Sequence, residues 1–391
     1  MDTHIVILGA GYAGLRVALG LDKLLPAANH QMHITLVDQY PYHQHICLLH
    51  LAATNAVPQK DVAVPLSDIL KYRPRVHVHS GYVTQIQPLQ RQVILDKDTP
   101  IAYDRLVIAL GALTDYHGVE GADEHTFPLR SYEQALVVRD HIEACFAQAA
   151  IVSDPAERRL LLTTAIVGGG LTGCQFAGEM AVWASKLCQK YYLQRSDVRI
   201  ALIETDSLLI GQLGEWATRE AEDALDRRGV SVYLNTNVER VEPRTVFVSG
   251  NRMLRAGTIV WAGGIRAPRL LADSGLPTDA AGRVHVDRYL RVEDQAHIFA
   301  IGDCAHVPGI RTAALPATAS YAMREGEHLA QSLIDEMEGR PPRPYEPAQL
   351  GLLVSLGPSQ AVGNPLGVPI YGPPAATLKQ GVEYWYLTTL S

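Results

Sequence analysis

The chain lacks any run of basic residues: 34 Lys and Arg stand against 41 Asp and Glu, a formal net charge of −7. Binding a polyphosphate backbone needs a cationic footprint, so nucleic acid is excluded as a partner class. Cysteine is scarce and scattered, at Cys47, Cys145, Cys174, Cys188 and Cys304, with no closely spaced pair. That excludes a dithiol redox centre of the usual spacing and fits a reducing, cytoplasmic compartment. No apolar run approaches the roughly 18 residues that a spanning helix needs. The first strand-like run begins at His4, which leaves no room for a signal peptide, so any membrane contact is expected to be peripheral. Histidine is plentiful, with 15 in the chain. Yet His43, His45 and His50 share neither helical i,i+4 spacing nor a His-Cys spacing of the zinc kind, so no metal is expected.

What the chain does contain is a glycine fingerprint used twice: Gly9, Gly11 and Gly14, then Gly168, Gly170 and Gly173. Each follows an apolar run (residues 4–8 and 160–167) and opens onto a helix-like one. The first glycine permits a tight strand-to-helix turn, the second lets backbone approach a pyrophosphate, and the third lets helix pack on strand. Unpaired N–H groups and the helix dipole then favour the phosphate charge. Each unit continues to a second strand that ends in an acid able to bind a ribose diol, Asp38 in the first and Glu204 in the second. An acid there repels a 2′-phosphate, so the second site is expected to prefer NADH over NADPH. One such turn could belong to any α/β protein; two, each with its acid, point to two dinucleotides held at once and electrons moving between them.

At 391 residues the chain exceeds one ordinary core, so two or three domains are expected. Short alternating runs at 76–79 and 92–95 suggest an antiparallel sheet or excursion. Residues 103–112 form a buried strand that ends in small residues, with Ala109 and Gly111 placed to let something flat lie on the backbone; 259–264 repeats that pattern and ends in Gly263 and Gly264. Helices are expected over 128–150, 173–195 and 315–338, and Gly302-Asp303 follows another buried strand. A Pro-rich linker at 341–344 marks a boundary.

Three stretches together, 167–179, 260–267 and 299–305, resemble the type II NADH:quinone oxidoreductases, single-subunit flavoproteins of the superfamily that includes glutathione reductase. The resemblance runs from Ile5 to about Leu387, and Tyr42-His43 with residues 48–52 looks like that family's loop beside the flavin. It implies an α/β fold of two Rossmann-like dinucleotide-binding domains of the glutathione-reductase type plus a small C-terminal region. FAD would occupy residues 1–118 with 256–325, and NADH residues 119–255, leaving 326–391 as a region facing membrane or acceptor. It further implies FAD on Gly9, Gly11, Gly14, Asp38, His43, Ala109, Gly111, Gly302 and Asp303. NADH would lie on Gly168, Gly170, Gly173, Glu204, Gly263 and Gly264. Hydride would pass from NADH to the flavin, and two electrons from there to a quinone, in an enzyme at the cytoplasmic face of the membrane that forms a homodimer.

Departures from the family pattern bear on the acceptor. Gln175 stands where the family commonly has a Glu able to pair with a lysine near the flavin; Glu179 follows one turn later, and Lys379 matches that lysine. A cation there would stabilise negative charge on the reduced flavin, unless Lys379 is a solvated surface residue. Ser320 and Arg324 replace two glutamines of the quinone-associated segment and share a helix face by their spacing. They would contact a polar or anionic acceptor or would be ordinary surface residues. Cys47 lies close to where single-cysteine NADH peroxidases, oxidases and disulfide reductases carry a redox cysteine, which His43, His45 or His50 would activate; alternatively it is a packed core residue. A third alternative is an NADH-sensing flavoprotein acting through a charge-transfer complex. Tyr384, Trp385 and Tyr386 near the C-terminus are either an interfacial aromatic cluster or internal packing.

Overall fold

The computed structural model describes residues 3–25, 32–96, 100–309 and 314–390. The chain forms two compact units, 1–45 with 63–113 and 265–348, and 46–62 with 114–264 and 349–391.

The first unit is built on a five-stranded parallel sheet in the order Ile298–Ala300, Arg105–Ile108, Thr3–Leu8, Met32–Asp38, Val76–Ser80. The glycine-bearing strand is central, and Ile5 to Leu8 are fully buried, as expected of a parallel strand covered on both faces. The segment 76–79 joins this parallel sheet as its edge rather than an antiparallel excursion, because it pairs in register with Ile34 to Val37. The excursion is Val83–Gln87, Gln92–Leu95 and Pro100–Ala102, three antiparallel strands.

The helix Tyr12–Leu24 packs against Ala319–Met337 at backbone range. A Cβ on Gly326 would overlap the Ala13 carbonyl, and one on Gly20 would come within 2.7 Å of the Ala330 methyl. The second helix begins at Ala319, later than its apolar pattern suggests, because the Thr318 side chain caps it by accepting from Tyr321 N–H.

The second unit repeats the plan: Phe127–Pro128, Thr258–Trp261, Thr163–Val167, Arg199–Ile203, Val230–Tyr233, all parallel, with the glycine-bearing strand again central. Its own three-stranded antiparallel excursion is Val238–Glu242, Thr245–Val248 and Arg252–Arg255. The helix Tyr132–Ile151 starts at a complete capping box, Ser131 with Gln134. The fingerprint helix Leu171–Tyr191 ends earlier than the sequence pattern suggests, at Tyr192 in the left-handed region. Its Gly178 has a packing reason, since a Cβ there would overlap the Leu356 carbonyl carbon. The C-terminal segment supplies three short antiparallel strands, Leu353–Ser355, Ala361–Gly363 and Ile370–Tyr371, and the helix Pro373–Thr388. Among the described residues no helix is long and apolar enough to cross a membrane.

Candidate functional site: two dinucleotide cradles

In the first unit Gly9 adopts φ +101°, and a Cβ there would overlap the Ala109 carbonyl oxygen. Gly14 has the same problem with the Gly9 carbonyl, so helix and strand meet at a distance only glycine permits. Gly11 differs: it is the N-cap of Tyr12–Leu24, no side chain caps the helix, and a Cβ on it would meet nothing within 4 Å. Open space thus lies before first-turn N–H groups that have no partner inside the helix. Asp38 ties the second strand to this turn, its carboxylate accepting from Ala10 N–H at 2.7 Å and Tyr40 N–H at 2.9 Å. Burial raises its pKa while those N–H groups pull it down.

The second unit reproduces each feature. Gly168 sits at φ +103° with a Cβ position 2.5 Å from the Ala262 carbonyl oxygen, and Gly173 would overlap the Gly168 carbonyl. Gly170 is an N-cap without a side-chain cap and faces open space. Glu204 accepts from Gly169 N–H at 2.5 Å and from Asp206 N–H at 2.8 Å. Both glycine turns therefore have the shape a pyrophosphate cradle needs, and FAD and NADH fit the residues present.

Around these turns lie residues with no obvious mark in the sequence. His117 covers the Gly263-Gly264 loop: its Nε2 is 3.0 Å from the Gly263 carbonyl, and a Cβ on Gly264 would run into its ring. Trp261 donates its indole N–H to the Asp115 carbonyl at 2.8 Å, fixing the same loop. Glu325 is 2% exposed and accepts from Gly302 N–H at 2.6 Å. Its register could have revealed it, since Ala322, Glu325, Gly326, Leu329 and Leu333 follow the buried face of their helix, where a charged residue stands out; Asp335 is the other buried acid of that helix.

Several expected roles change. Lys379 is 8% exposed rather than a solvated lysine, and it donates to Glu383 at 2.5 Å, one turn along its own helix. The carboxylate missing at Gln175, itself buried, is thus replaced from a different element. Glu179 is buried too; desolvation raises its pKa to about 7, with Arg228 and Lys186 opposing and Glu383 adding to the rise. Ser320 and Arg324 do share a helix face: the guanidinium donates to Ser320 Oγ at 3.1 Å and to the Ala348 carbonyl at 2.6 Å.

His43 is fully buried and close to Ala10, Nδ1 to carbonyl oxygen 2.8 Å. Burial drives its pKa down to about 4, so it is neutral at pH 7 and supplies no positive charge to a thiolate. Cys47 sits half-buried in the short 3-10 turn Ile46–Leu48. Cys174 and Cys304 are packing residues whose thiols burial pushes up, that of Cys304 to about 12. Asp303 stands within the turn Gly302–Cys304, where Gly302 takes φ +71°.

Comparison with known proteins agrees with this architecture. Residues 3–326 match the pyridine nucleotide-disulphide oxidoreductase family. The type II NADH:quinone oxidoreductase of Staphylococcus aureus (strain NCTC 8325) is 31% identical over 384 residues, 97% of this chain and 94% of that protein. The enzyme of the same name from Staphylococcus saprophyticus is 30% identical over the same shares. NDH2 from Plasmodium falciparum, solved in complex with NADH, superposes with a TM-score of 0.89 at 18% identity, covering 100% of this chain and 95% of that one. The sulfide:quinone oxidoreductase of Aquifex aeolicus has the same fold, with a TM-score of 0.81 at 20% identity over 99% and 91% of the two chains. The chain belongs to the pyridine nucleotide-disulphide oxidoreductases and, among them, to the type II NADH:quinone oxidoreductases.

Proposed function

We infer that the protein is a flavin-dependent NADH dehydrogenase that passes two electrons to a quinone. The observation that carries this is the doubled cradle: two uncapped helix N-termini, each facing open space and each tied by an acid from the neighbouring strand. We assign FAD to the first cradle, with Gly9, Gly11, Gly14 and Asp38 at its adenosine diphosphate half and Ala109, Gly111, Gly302, Asp303 and His43 along the rest. NADH goes to the second, with Gly168, Gly170, Gly173 and Glu204, and with Gly263 and Gly264 towards the nicotinamide. Bound FAD would supply the hydride acceptor and two-electron store.

The chain's own part is orientation. Glu204 accepts a ribose diol and repels a 2′-phosphate, which favours NADH. His117 holds the Gly263-Gly264 loop in place. Lys379 presents a cation already paired with Glu383, so its position is set before any negative charge develops near it. Ser320 and Arg324 are assigned to the acceptor side, with Arg324 held by two protein oxygens. The functional domains are taken as 1–118 with 256–325, 119–255 and 326–391.

The last helix supports a peripheral membrane role, which we place at the cytoplasmic face. Leu378, Val382 and Trp385 are exposed at i, i+4 and i+7, with Tyr384 beside them, while Ala375, Lys379 and Tyr386 turn inward. Flotation with liposomes tests that role, and protein remaining with the soluble fraction would refute it. A homodimer is tested by sedimentation, a monomer at working concentration counting against it.

Stopped-flow absorbance tests the main reading. NADH should bleach the flavin quickly, a short-chain quinone should restore it quickly, and Cys47→Ser should change neither rate. Slow reoxidation by quinone would overturn the acceptor assignment, and loss of turnover in Cys47→Ser would favour cysteine chemistry.

A further inference from the structure

Among the described residues of the first unit three carboxyls without a part in the functional reading are buried: Asp22, Asp335 and Glu325. Asp22 is paired with Arg73 and Asp335 with Arg340, whereas Glu325 accepts from backbone. It is 2% exposed on the core face of Ala319–Met337, and its Oε2 accepts from Gly302 N–H at 2.6 Å. That N–H belongs to the turn Gly302–Cys304, which carries Asp303. Gly302 itself is in the left-handed region, φ +71°, which glycine enters freely, and the Glu325 carboxyl is the side-chain acceptor for its N–H. Beside it lies a cavity of about 10 Å³, room for about one water, lined by Glu325, Gly302, Asp303, Arg283, Tyr321 and Thr318.

We propose that Glu325 is a positioning residue for the flavin: its carboxyl fixes the Gly302–Cys304 turn and, by carrying a proton, keeps a second negative charge away from Asp303 and the cofactor's phosphates. This rests on FAD occupying the first cradle. The surroundings of Glu325 favour the protonated form. Desolvation is the main cause and the Asp303 charge adds to it, against the Gly302 N–H, and together they bring the carboxyl to about 7. Arg283 reaches the same cavity but is engaged with Asp279, to which its Nε donates at 2.8 Å. Burial, with a smaller effect of Glu325, holds the Tyr345 phenol neutral against the opposing influence of Arg324. On the same helix Arg324 is occupied by Ser320 and Ala348, and Arg16, from Tyr12–Leu24, is 3.9 Å from Glu327.

The consequence is a proton linked to flavin binding. FAD brings two negative phosphates towards a carboxyl that already titrates near neutrality. Holding the cofactor therefore favours the protonated acid, and affinity falls as pH rises above neutral, by up to about tenfold per unit. Glu325→Gln keeps the shape and the acceptor oxygen but cannot ionise.

The test is the FAD dissociation constant, measured on the holoenzyme by release of flavin on dilution between pH 6 and pH 9. Wild type should lose affinity above neutral pH, Glu325→Gln should stay flat, and Glu325→Ala should bind about tenfold more weakly even at pH 6, having lost the hydrogen bond. Infrared difference spectra should show a carboxylic-acid carbonyl band that titrates near neutral pH in wild type and is absent in Glu325→Gln. Identical pH profiles for wild type and Glu325→Gln, or no such band, would overturn the proposal. Flavin that binds with the expected pH dependence but is not reduced by NADH would support it while overturning the functional reading above.

Discussion

The two cradles solve one problem with acids of different length, and the residue facing each acid differs accordingly. In the first, Asp38 reaches the N–H of Ala10; in the second, Glu204 reaches the N–H of Gly169. A Cβ on Gly169 would lie 2.5 Å from Leu209 Cδ2 and 3.0 Å from Glu204 itself, whereas Ala10 carries its methyl fully buried. The longer acid and the neighbouring leucine occupy the space that the shorter acid leaves to a side chain. A glycine outside the fingerprint is thus explained by the length of an acid on the next strand, a coupling visible only when both halves are compared.

Substitution of the third glycine tests whether the cradles are separable and should have the largest effect. Gly14→Ala and Gly173→Ala each force a Cβ onto a carbonyl oxygen, costing about 3 kcal/mol or more in stability, read as a fall in Tm. Gly14→Ala should purify without flavin, while Gly173→Ala should keep its flavin colour and lose reduction by NADH. Loss of the same ligand from both would break the assignment of one dinucleotide to each half.

Breaking this largely enclosed pair by Glu383→Gln should destabilise by about 3 kcal/mol, because it leaves Lys379 charged, enclosed and without its counter-ion. Gln175→Glu added to that variant should recover part of the loss if position 175 can take over as counter-ion. A double variant no more stable than Glu383→Gln would show that it cannot.

Removing the ribose acid should cost about 2 kcal/mol of nucleotide binding, seen for Glu204→Ala as a rise in KM for NADH with narrower discrimination against NADPH. An unchanged preference would sink the role given to Glu204.

The buried acids also set a pH dependence. Glu179 has its folded pKa raised from 4.5 to about 7, so between those values the folded state binds more protons than the unfolded. Its unfavourable contribution is absent below the lower value, grows as pH rises through the window and is complete above the upper one. Glu179→Gln should therefore flatten the fall in stability between pH 4.5 and 7 in urea titrations. An unchanged slope would place the titration elsewhere.

The smallest effect returns to the first comparison. Gly169→Ala should cost about 1 kcal/mol, since Leu209 and Glu204 can each give a little, and Glu204→Asp should relieve it. Simple additivity of the two substitutions would show that acid length and the glycine are not coupled.

The sequence by itself determined both strand-turn-helix units, their acids and the repeat of the plan. Those features rest on short-range rules: a turn with positive φ needs glycine, a helix N-terminus needs a cap or an anion, and a strand buried on both faces is apolar throughout. The edge strand Val76–Ser80 escaped them, because its alternating His and Val fit a half-exposed strand of either kind and only its partner made it parallel. The charges were likewise decided in three dimensions. Lys379 with Glu383 is a spacing any helix could show, His117 acts through a loop far along the chain, and the register that buries Glu325 does not tell that its partner is the Gly302 N–H. Burial turns an ordinary lysine, histidine or glutamate into a site residue, and burial depends on which distant segments close over it, a property of the tertiary structure alone.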